Sequence, residues 1–311
     1  MKKNLDFGVV NIVKSPREWS RIARAGKRVA AAEAPDLSKY SDKDYLFTHA
    51  TICCSVALED NLYYIKPECS KFVNDNGNAW ANQVLLATYV TFKGAFNFLE
   101  HVQIESESKG KILDAVIRPV KLENGTEILY VDLLTATDRK HKNLVKDIES
   151  GKLNTMSMGA NLTHFTCSKC GFIGRDGIDK PCKCIERELG SYFVDKEGVK
   201  RIVAELCGRF MKDSDGNMVA DPNSVEFIEA SWVDVPAFRG AVLNHFVSEV
   251  KEDDLEKHFK LSFGIKNDLD SVFSRVASGK LAAIENRVAR KLIPDTIEMR
   301  VASSILKENS K

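Results

Sequence analysis

The feature that most restricts how this chain can fold is a group of four cysteines between residues 167 and 184. Cys167 and Cys170 form a C-x2-C pair, and Cys182 and Cys184 form a C-x-C pair after an interval of eleven residues. Two such knuckles can enclose one tetrahedral Zn²⁺ with four thiolates and leave no open coordination position. We therefore expect Cys167, Cys170, Cys182 and Cys184 to hold a structural zinc ion and not a catalytic one.

The segment between the two cysteine pairs has glycines at positions 171, 174 and 177 and little apolar material. Burial alone would not order such a segment, so we expect the metal to supply its order. Free surface thiols or a redox pair remain the alternatives. The other cysteines are scattered and are interpreted as core thiols: Cys53, Cys54, Cys69 and Cys207.

Composition limits the classes of function. The 311 residues are 44% hydrophobic, which is enough for one main domain with smaller appended units. The 45 Lys and Arg against 44 Asp and Glu give a net charge of +1, which argues against specific nucleic-acid binding. No run approaches the roughly 20 apolar residues of a membrane span, and the start lacks a signal-peptide pattern. We expect a cytoplasmic protein that does not bind membranes.

Changes in pattern along the chain predict three regions. Residues 1–44 are expected to form an arm, with a helix near residues 19–32. Residues 45–250 are expected to form the main domain, which is strand-like in pieces up to about residue 90. Residues 251–311 repeat apolar positions at helical spacing, for example at 269–276 and 281–288, and predict an amphipathic helical tail.

Two elements in the middle of the chain are predicted with most detail. The segments KILDAVIRPV and EILYVDLLTAT flank the pair Asn124-Gly125, a strong hairpin signal, and predict two antiparallel strands. Residues 139–150 then predict a short helix, with Leu144 and Ile148 on one face and Gly151 as its C-cap.

The segment LNTMSMGANL predicts a strand that carries Ser157 on its polar, open face. Alternation puts Met156, Met158, Ala160 and Leu162 on one side and Thr155, Ser157 and Asn161 on the other. Threonine stands where the first glycine of a G-x-S-x-G motif would be, which argues against an α/β-hydrolase.

Two ionisable side chains, those of Glu229 and His101, are candidates for the site. Glu229, in VEFIEASWV, is expected on the same strand face as Val225, Phe227 and Val233. A carboxylate buried there needs a partner. An imidazolium is one natural partner, while an arginine, a lysine or an edge position would equally explain it. His101, in FNFLEHVQ, can accept a proton from a hydroxyl, although a lone histidine is more often structural.

The order of FLEHVQ, the small helix, GKLNTMSMGA, CSKCG and FIEASWVDVPAFRGAV resembles the prohead maturation proteases of tailed bacteriophages. These are similar in fold to herpesvirus assemblin, and the resemblance covers roughly residues 45–246. It implies an α+β fold: an antiparallel β-barrel-like protease domain with flanking helices and a helical C-terminal tail. The cysteine segment, residues 164–187, resembles a zinc-knuckle insertion of members from large phages.

In that family a histidine precedes the nucleophilic serine and the third triad member follows it. The resemblance therefore implies His101 as general base, Ser157 as nucleophile and Glu229 as the orienting acid. The third member varies in the family, so Asp132 and Asp114 stay open as alternatives.

Two further electrostatic roles are expected around the site. The backbone amides of Met158 and Gly159 are expected to hold the oxyanion, and Arg239 to assist electrostatically.

The implied function is a serine endopeptidase that cleaves scaffold and major capsid proteins inside the assembling prohead, in the host cytoplasm. The tail needs a partner surface, which is its own domain, a second protomer or the scaffold. One alternative is a non-enzymatic zinc-containing capsid assembly protein. Another, a zinc-ribbon nucleic-acid binder, is disfavoured by the near-neutral charge.

Overall fold

The computed structural model describes residues 11–12 and 39–238. This part of the chain is mixed α+β and consists mostly of strands, as predicted. No helix within it has the length and apolar character that crossing a membrane requires. The predictions for a helix at residues 19–32, for Arg239 and for the tail at residues 251–311 lie outside the described residues.

The main sheet contains eleven strands, and the rest are two small hairpins. The main-sheet strands are β1 (Asn11–Ile12), β2 (Tyr45–Val56), β3 (Asn78–Ala81), β4 (Phe96–Leu99), β5 (Gly110–Lys121), β6 (Glu127–Asp138), β7 (Met156–Leu162), β8 (His164–Cys167), β9 (Ile173–Arg175), β12 (Glu205–Cys207) and β15 (Val225–Trp232). The hairpins are β10 (Tyr192–Val194) with β11 (Lys200–Ile202), and β13 (Phe210–Lys212) with β14 (Met218–Ala220). The α-helices are α1 (Asn82–Thr88), α2 (Lys142–Glu149) and α3 (Lys183–Glu188), and 3-10 turns span Pro67–Phe72, Tyr89–Phe92 and Glu105–Glu107.

The main sheet curls into a half-barrel with the order β7-β15-β4-β5-β6-β2-β3-β12-β8-β9, and β1 lies beside β2. Most neighbours are antiparallel, as expected. Three pairs of neighbouring strands are parallel: β15–β4, β2–β3 and β12–β3. The sheet therefore differs from the predicted antiparallel barrel at these three pairs. Parallel pairs need long crossover connections, and the long chain segments between these strands supply them.

The predicted hairpin is confirmed. β5 and β6 pair antiparallel from Gly110↔Thr137 to Lys121↔Glu127. At the turn, Gly125 has φ +86°, and its amide donates to the carbonyl of Leu122 at 2.9 Å. Glycine adopts this left-handed backbone without a steric cost, which explains the asparagine-glycine signal.

The predicted short helix is also confirmed, as α2. Leu144, Val145 and Ile148 are buried in the main core, and they give the helix its apolar face. Gly151 follows at φ +72°, and its amide donates to the carbonyl of Ile148 at 3.0 Å. The chain turns there and enters β7.

A helix replaces the strand-like structure expected near residue 90. Val84, Leu85, Leu86 and Ala87 of α1 are all buried, so this helix is apolar on every side and shows no amphipathic period. In the 3-10 turn after it, Phe92 stacks on Phe227 of β15 with ring centroids 4.2 Å apart. Helix α1 thus lies in the core and supports β15.

Candidate active site and metal centre

The strand pair β7–β15 brings the predicted nucleophile and the predicted acid to one sheet face. Ser157 lies opposite Ser231, and Gly159 lies opposite Glu229. Residues directly opposite each other in an antiparallel pair project to the same face. Ser157 and Glu229 therefore share a face, with Ser231 next to both.

A β-bulge in β15 decides which way Glu229 points. The pairing slips between Phe227 and Glu229, which leaves Ile228 as the extra residue. Phe227, Ala230 and Trp232 are buried in the main core, so alternation places Glu229 on the other face. The expectation that Glu229 shares the face of Phe227 is wrong, because the bulge reverses the alternation. Glu229 is nevertheless fully buried, at 0% exposure.

The buried carboxylate of Glu229 has three hydrogen-bond donors around it. His101 Nδ1 donates to Oε1 at 2.6 Å, and Ser231 Oγ donates to Oε2 at 2.5 Å. Gln103 Nε2 approaches Oε1 at 3.4 Å. A carboxylate removed from water requires such partners, and both of its oxygens have one.

Gly159 makes room for this carboxylate. A Cβ atom at position 159 would lie 2.6 Å from Glu229 Oε1 and 2.9 Å from Gln103 Nε2. These contacts are too short for a side chain, and hydrogen bonds fix the position of the Glu229 carboxylate. A glycine two residues after Ser157 is therefore a steric requirement of the buried acid.

His101 lies on a strained turn that directly follows β4. Glu100 and His101 have φ values of 51° and 56°, and left-handed backbone costs a non-glycine residue about 1–2 kcal/mol. Two bonds to the end of β15 hold the turn: the Glu100 amide donates to the Trp232 carbonyl at 2.9 Å, and the Asp234 amide donates to Glu100 Oε1 at 2.9 Å. The backbone is thus fixed where the imidazole reaches Glu229.

The environment of His101 favours its protonated form. The hydrogen bond that His101 donates to Glu229 raises the pKa of His101 above its ordinary value, burial acts in the opposite direction, and the charge of Glu229 adds to the increase. The imidazole is 41% exposed and is therefore accessible. With Nδ1–H directed at Glu229, the neutral ring has Nε2 free to accept a proton.

Ser157 and His101 border a common cavity of about 420 Å³. Ser157 is 8% exposed. Within the described part of the chain no hydrogen bond joins Ser157 to His101; such bonds often tighten only when substrate is bound. The structure therefore brings His101 and Glu229 into contact, and places Ser157 beside the same cavity.

The two alternative acids have other partners. Arg118 Nε donates to Asp132 Oδ2 at 2.7 Å, and Thr51 Oγ1 donates to Oδ1 at 2.6 Å. Burial raises the pKa of Asp132, but the Arg118 charge and the hydrogen bonds outweigh burial and hold this pKa well below its usual range. Asp114 accepts from the Ala115 amide at 3.1 Å. Of the three candidate acids, Glu229 is the one in contact with His101.

The four clustered cysteines come together as predicted. Their Sγ atoms all lie within 4.8 Å of one another, and those of Cys170 and Cys182 are 3.5 Å apart. A tetrahedral zinc ion with Zn–S bonds of about 2.3 Å needs sulfur separations of about 3.8 Å. The four thiols can therefore bind one metal ion, and their spacing is compatible with zinc.

The knuckle around Cys167 continues the main sheet. Strand β8 pairs with β12, so Cys167 lies opposite Glu205. Gly171 turns the chain with φ +71°, and its amide donates to the Cys167 carbonyl at 3.0 Å. The local apolar cluster is small and centres on Phe165, Cys167 and Ile185. So small a cluster agrees with the expectation that a metal orders this segment.

Sequence reasoning missed two polar residues of the site. Ser231 follows Glu229 by two positions, and that spacing is itself a signal for a shared strand face. This spacing does not point to Ser231 as a site residue when Glu229 is expected on the core face. Gln103 lies beyond the turn at His101, and no periodicity predicts where such a residue points.

A scan against protein-family models finds none that matches this chain, and searches of curated proteins and of solved structures likewise find no match. The functional assignment therefore depends on the geometry of the site and on the resemblance in the motifs.

Proposed function

We propose that this chain is a serine endopeptidase in which Ser157 is the nucleophile, His101 the general base and Glu229 the acid that orients His101. One observation carries the proposal. His101 Nδ1 is bonded at 2.6 Å to a fully buried carboxylate that shares a sheet face with Ser157, beside a cavity that both Ser157 and His101 border. A hydroxyl, an imidazole and a buried carboxylate in this order can perform acyl transfer.

In acylation, Ser157 Oγ attacks the carbonyl carbon of a substrate peptide bond while His101 Nε2 takes the hydroxyl proton. The carbonyl electrons move to the oxygen. When they return, the C–N bond breaks, and the imidazolium gives its proton to the leaving amine. Glu229 keeps Nδ1 protonated and stabilises the charged ring. The raised pKa of His101 fits this last role.

Water then attacks the carbonyl carbon of the acyl-serine ester while His101 accepts its proton. The bond between this carbon and Ser157 Oγ breaks, His101 returns the proton to Oγ, and the new carboxyl end of the substrate leaves. The backbone amides of Met158 and Gly159 are the proposed donors to the oxyanion. β7 lies at one edge of the main sheet, so β15 is its one neighbour among the described strands. Amides of successive strand residues point to opposite edges, and one of these two therefore faces the unpaired edge.

The proposed substrates are scaffold and major capsid proteins, cleaved inside an assembling prohead in the host cytoplasm. The support for this substrate class is the resemblance of the motifs around His101, Ser157 and Glu229 to prohead maturation proteases. A crowded prohead would also favour self-association and encounter with substrate.

The proposed metal is a structural zinc ion held by Cys167, Cys170, Cys182 and Cys184. Zinc bound by four thiolates stabilises the local fold and has no position for a reactive water. The close approach of the four Sγ atoms supports this set of ligands. In the proposed reaction, all proton transfers use His101.

A second candidate is a non-enzymatic, zinc-containing capsid assembly protein. The observation in its favour is the exposure of apolar side chains near the knuckle: Ile173 is 59% exposed, Ile178 69% and Val194 68%. Exposed apolar residues of this kind suit a contact surface. In this alternative the protease-like arrangement is only a scaffold, and the chain itself cleaves none of its partner proteins.

Incubation of the full chain with its own scaffold and major capsid proteins separates the two candidates. The endopeptidase predicts discrete products with the native chain and none with Ser157→Ala or His101→Ala, each of which lowers kcat by about 10⁶-fold. Ser224→Ala is the matched control, because Ser224 is a buried serine next to β15 but outside the site. Absence of products with the native chain would favour the assembly protein, and unchanged cleavage by Ser157→Ala would remove Ser157 as the nucleophile.

A further inference from the structure

The cavity beside Ser157 has walls of two kinds. The interior wall is apolar and is formed by Ile52, Trp80, Met158, Leu162, Cys207 and Phe238. The other wall includes three asparagines, Asn74, Asn76 and Asn78. A volume of about 420 Å³ lies within the range of about 300–1,000 Å³ that is common for ligand sites.

The position of the cavity relates it to the reacting bond. Met158 directly follows Ser157, and Ala160 lies two residues further along β7. Both line the cavity, as does His101. A group bound there would belong to a substrate residue next to the bond that Ser157 attacks. The small side chain of Ala160 leaves space for it.

The charges around the cavity select against an acidic group. Its lining contains no lysine or arginine among the described residues, and it includes Asp75. The basic residue that lines it, His101, is already bonded to the Glu229 carboxylate. An acidic side chain would lose water against the apolar wall without gaining a fixed positive partner. An apolar side chain has no charge to desolvate, and its binding would remove the apolar surfaces of Met158 and Leu162 from water.

We propose that this cavity is a specificity pocket for a large apolar side chain, of the leucine, methionine or phenylalanine type, on the substrate residue that adjoins the scissile bond. The pocket rejects aspartate and glutamate. This inference rests on the proposed function, since the pocket has this meaning only if Ser157 is the nucleophile.

The first test maps cleavage sites in the scaffold protein by mass spectrometry and then measures kcat/KM for peptides that span one site. Each peptide carries alanine, leucine, phenylalanine or glutamate at one position beside the scissile bond. We expect leucine and phenylalanine to exceed alanine by about 10-fold or more, the usual range for an apolar pocket, with glutamate lowest. Equal rates, or a preference for glutamate, would overturn the pocket while leaving the peptidase intact.

A substitution that fills the pocket can be compared with the same substitution outside it. Ala160→Leu should cut the preference for phenylalanine over alanine, measured as the ratio of the two kcat/KM values, by about 10-fold or more. Asn161→Leu introduces the same side chain at the next, exposed position of β7 and should leave the preference unchanged. If Ala160→Leu melts at a lower temperature than the native chain, Ala160→Val is used in its place. An unaltered preference in the filled variant contradicts the proposal.

A binding measurement keeps the inference testable without catalysis. The Ser157→Ala chain is titrated with acetyl-phenylalanine amide and acetyl-glutamate amide while the methyl resonances of Met158 and Ala160 are followed. Saturable shifts with the phenylalanine probe alone support the pocket. Shifts with neither probe, or with the glutamate probe alone, overturn it. Absence of cleavage by the native chain, in contrast, would refute the proposed peptidase.

Discussion

At the scale of single residues, the site depends on how one carboxylate is held inside a sheet. Glu229 is fully buried and accepts hydrogen bonds from His101 and Ser231, while Gly159 leaves it room. A buried charge of this kind is strongly unfavourable unless all of its partners are in place. The interactions that stabilise Glu229 are thus the same ones that orient His101.

Replacing Glu229 by glutamine tests the role of the charge. The carboxylate raises the pKa of His101, while burial lowers it, so Glu229→Gln should lower this pKa. The imidazole must be neutral to act as base, and the acidic limb of the kcat/KM profile should therefore move to lower pH. We expect kcat to fall by about 10⁴-fold, less than for loss of Ser157 or His101. A pH–rate profile measures both effects.

The same experiment distinguishes the acids. Asp132→Asn is the control, because Asp132 is bonded to Arg118 and Thr51 and not to His101. Full activity of Glu229→Gln together with an inactive Asp132→Asn would assign the third role to Asp132.

Ser231 is expected to act as a positioning residue through Glu229. A hydrogen bond to a charged group contributes about 1.5–3 kcal/mol, so Ser231→Ala should lower kcat by about 10-fold or more with KM little changed. The freed carboxylate would hold the imidazole less firmly, and the pKa of His101 measured by NMR should fall. Ser224→Ala, a buried serine outside the site, should change neither quantity. Equal effects of the two substitutions would show that the role of Ser231 is only structural.

At the scale of elements, sequence patterns predict the helices and hairpins whose formation depends on residues close together in the chain. The hairpin β5–β6 and helix α2 follow from the turn at Gly125, the apolar spacing of Leu144 and Ile148 and the C-terminal Gly151. Helix α1 was missed because a helix buried on every side has no amphipathic period.

The face of Glu229 was predicted wrongly for a related reason. A bulge is a property of the pairing between β7 and β15, and one strand read alone does not contain it. The resemblance implies the three candidate catalytic residues, but the contact between His101 and Glu229 depends on the parallel pair β15–β4. Sequence periodicity gives no information on that pairing.

The cysteine knuckle permits a test at the same scale. We expect one zinc ion per chain, and we expect Cys167→Ser to lose it and to lower the melting temperature by on the order of 5 °C or more. Because β8 pairs with β12 of the main sheet, loss of order in the cysteine segment should also destabilise this part of the sheet. Cys69→Ala, which removes a buried thiol outside the cluster, should keep the zinc. Elemental analysis and thermal melting give the two readouts, and native protein without zinc would contradict the assignment.

At the scale of the whole molecule, the proposed endopeptidase would be made together with its proposed substrates and would need a means of control. The proposed means is confinement, since activity that depends on weak encounters rises with local concentration in a prohead. The amphipathic pattern of residues 251–311 makes this tail the proposed segment for incorporating the chain into the prohead.

Deletion of residues 251–311 should leave a folded protein that cleaves peptides but is no longer incorporated into proheads. The reason is that the apolar stripes at 269–276 and 281–288 would serve a partner surface and not the core of the domain. A chain in which Leu269 and Val276 are replaced by serine should behave in the same way. Loss of folding in the deletion variant, seen by circular dichroism, would instead make the tail part of the core.

The central claim is that Ser157 is a nucleophile activated by His101 and Glu229, and covalent labelling measures this directly. A fluorophosphonate reacts with activated serines, and mass spectrometry of the digested chain locates the modified residue. We predict a single phosphonylated serine, Ser157, with the labelling rate strongly reduced in His101→Ala and reduced to a smaller extent in Glu229→Gln. An unlabelled Ser157 in the native chain, or a labelling rate that His101→Ala leaves unchanged, would contradict the account.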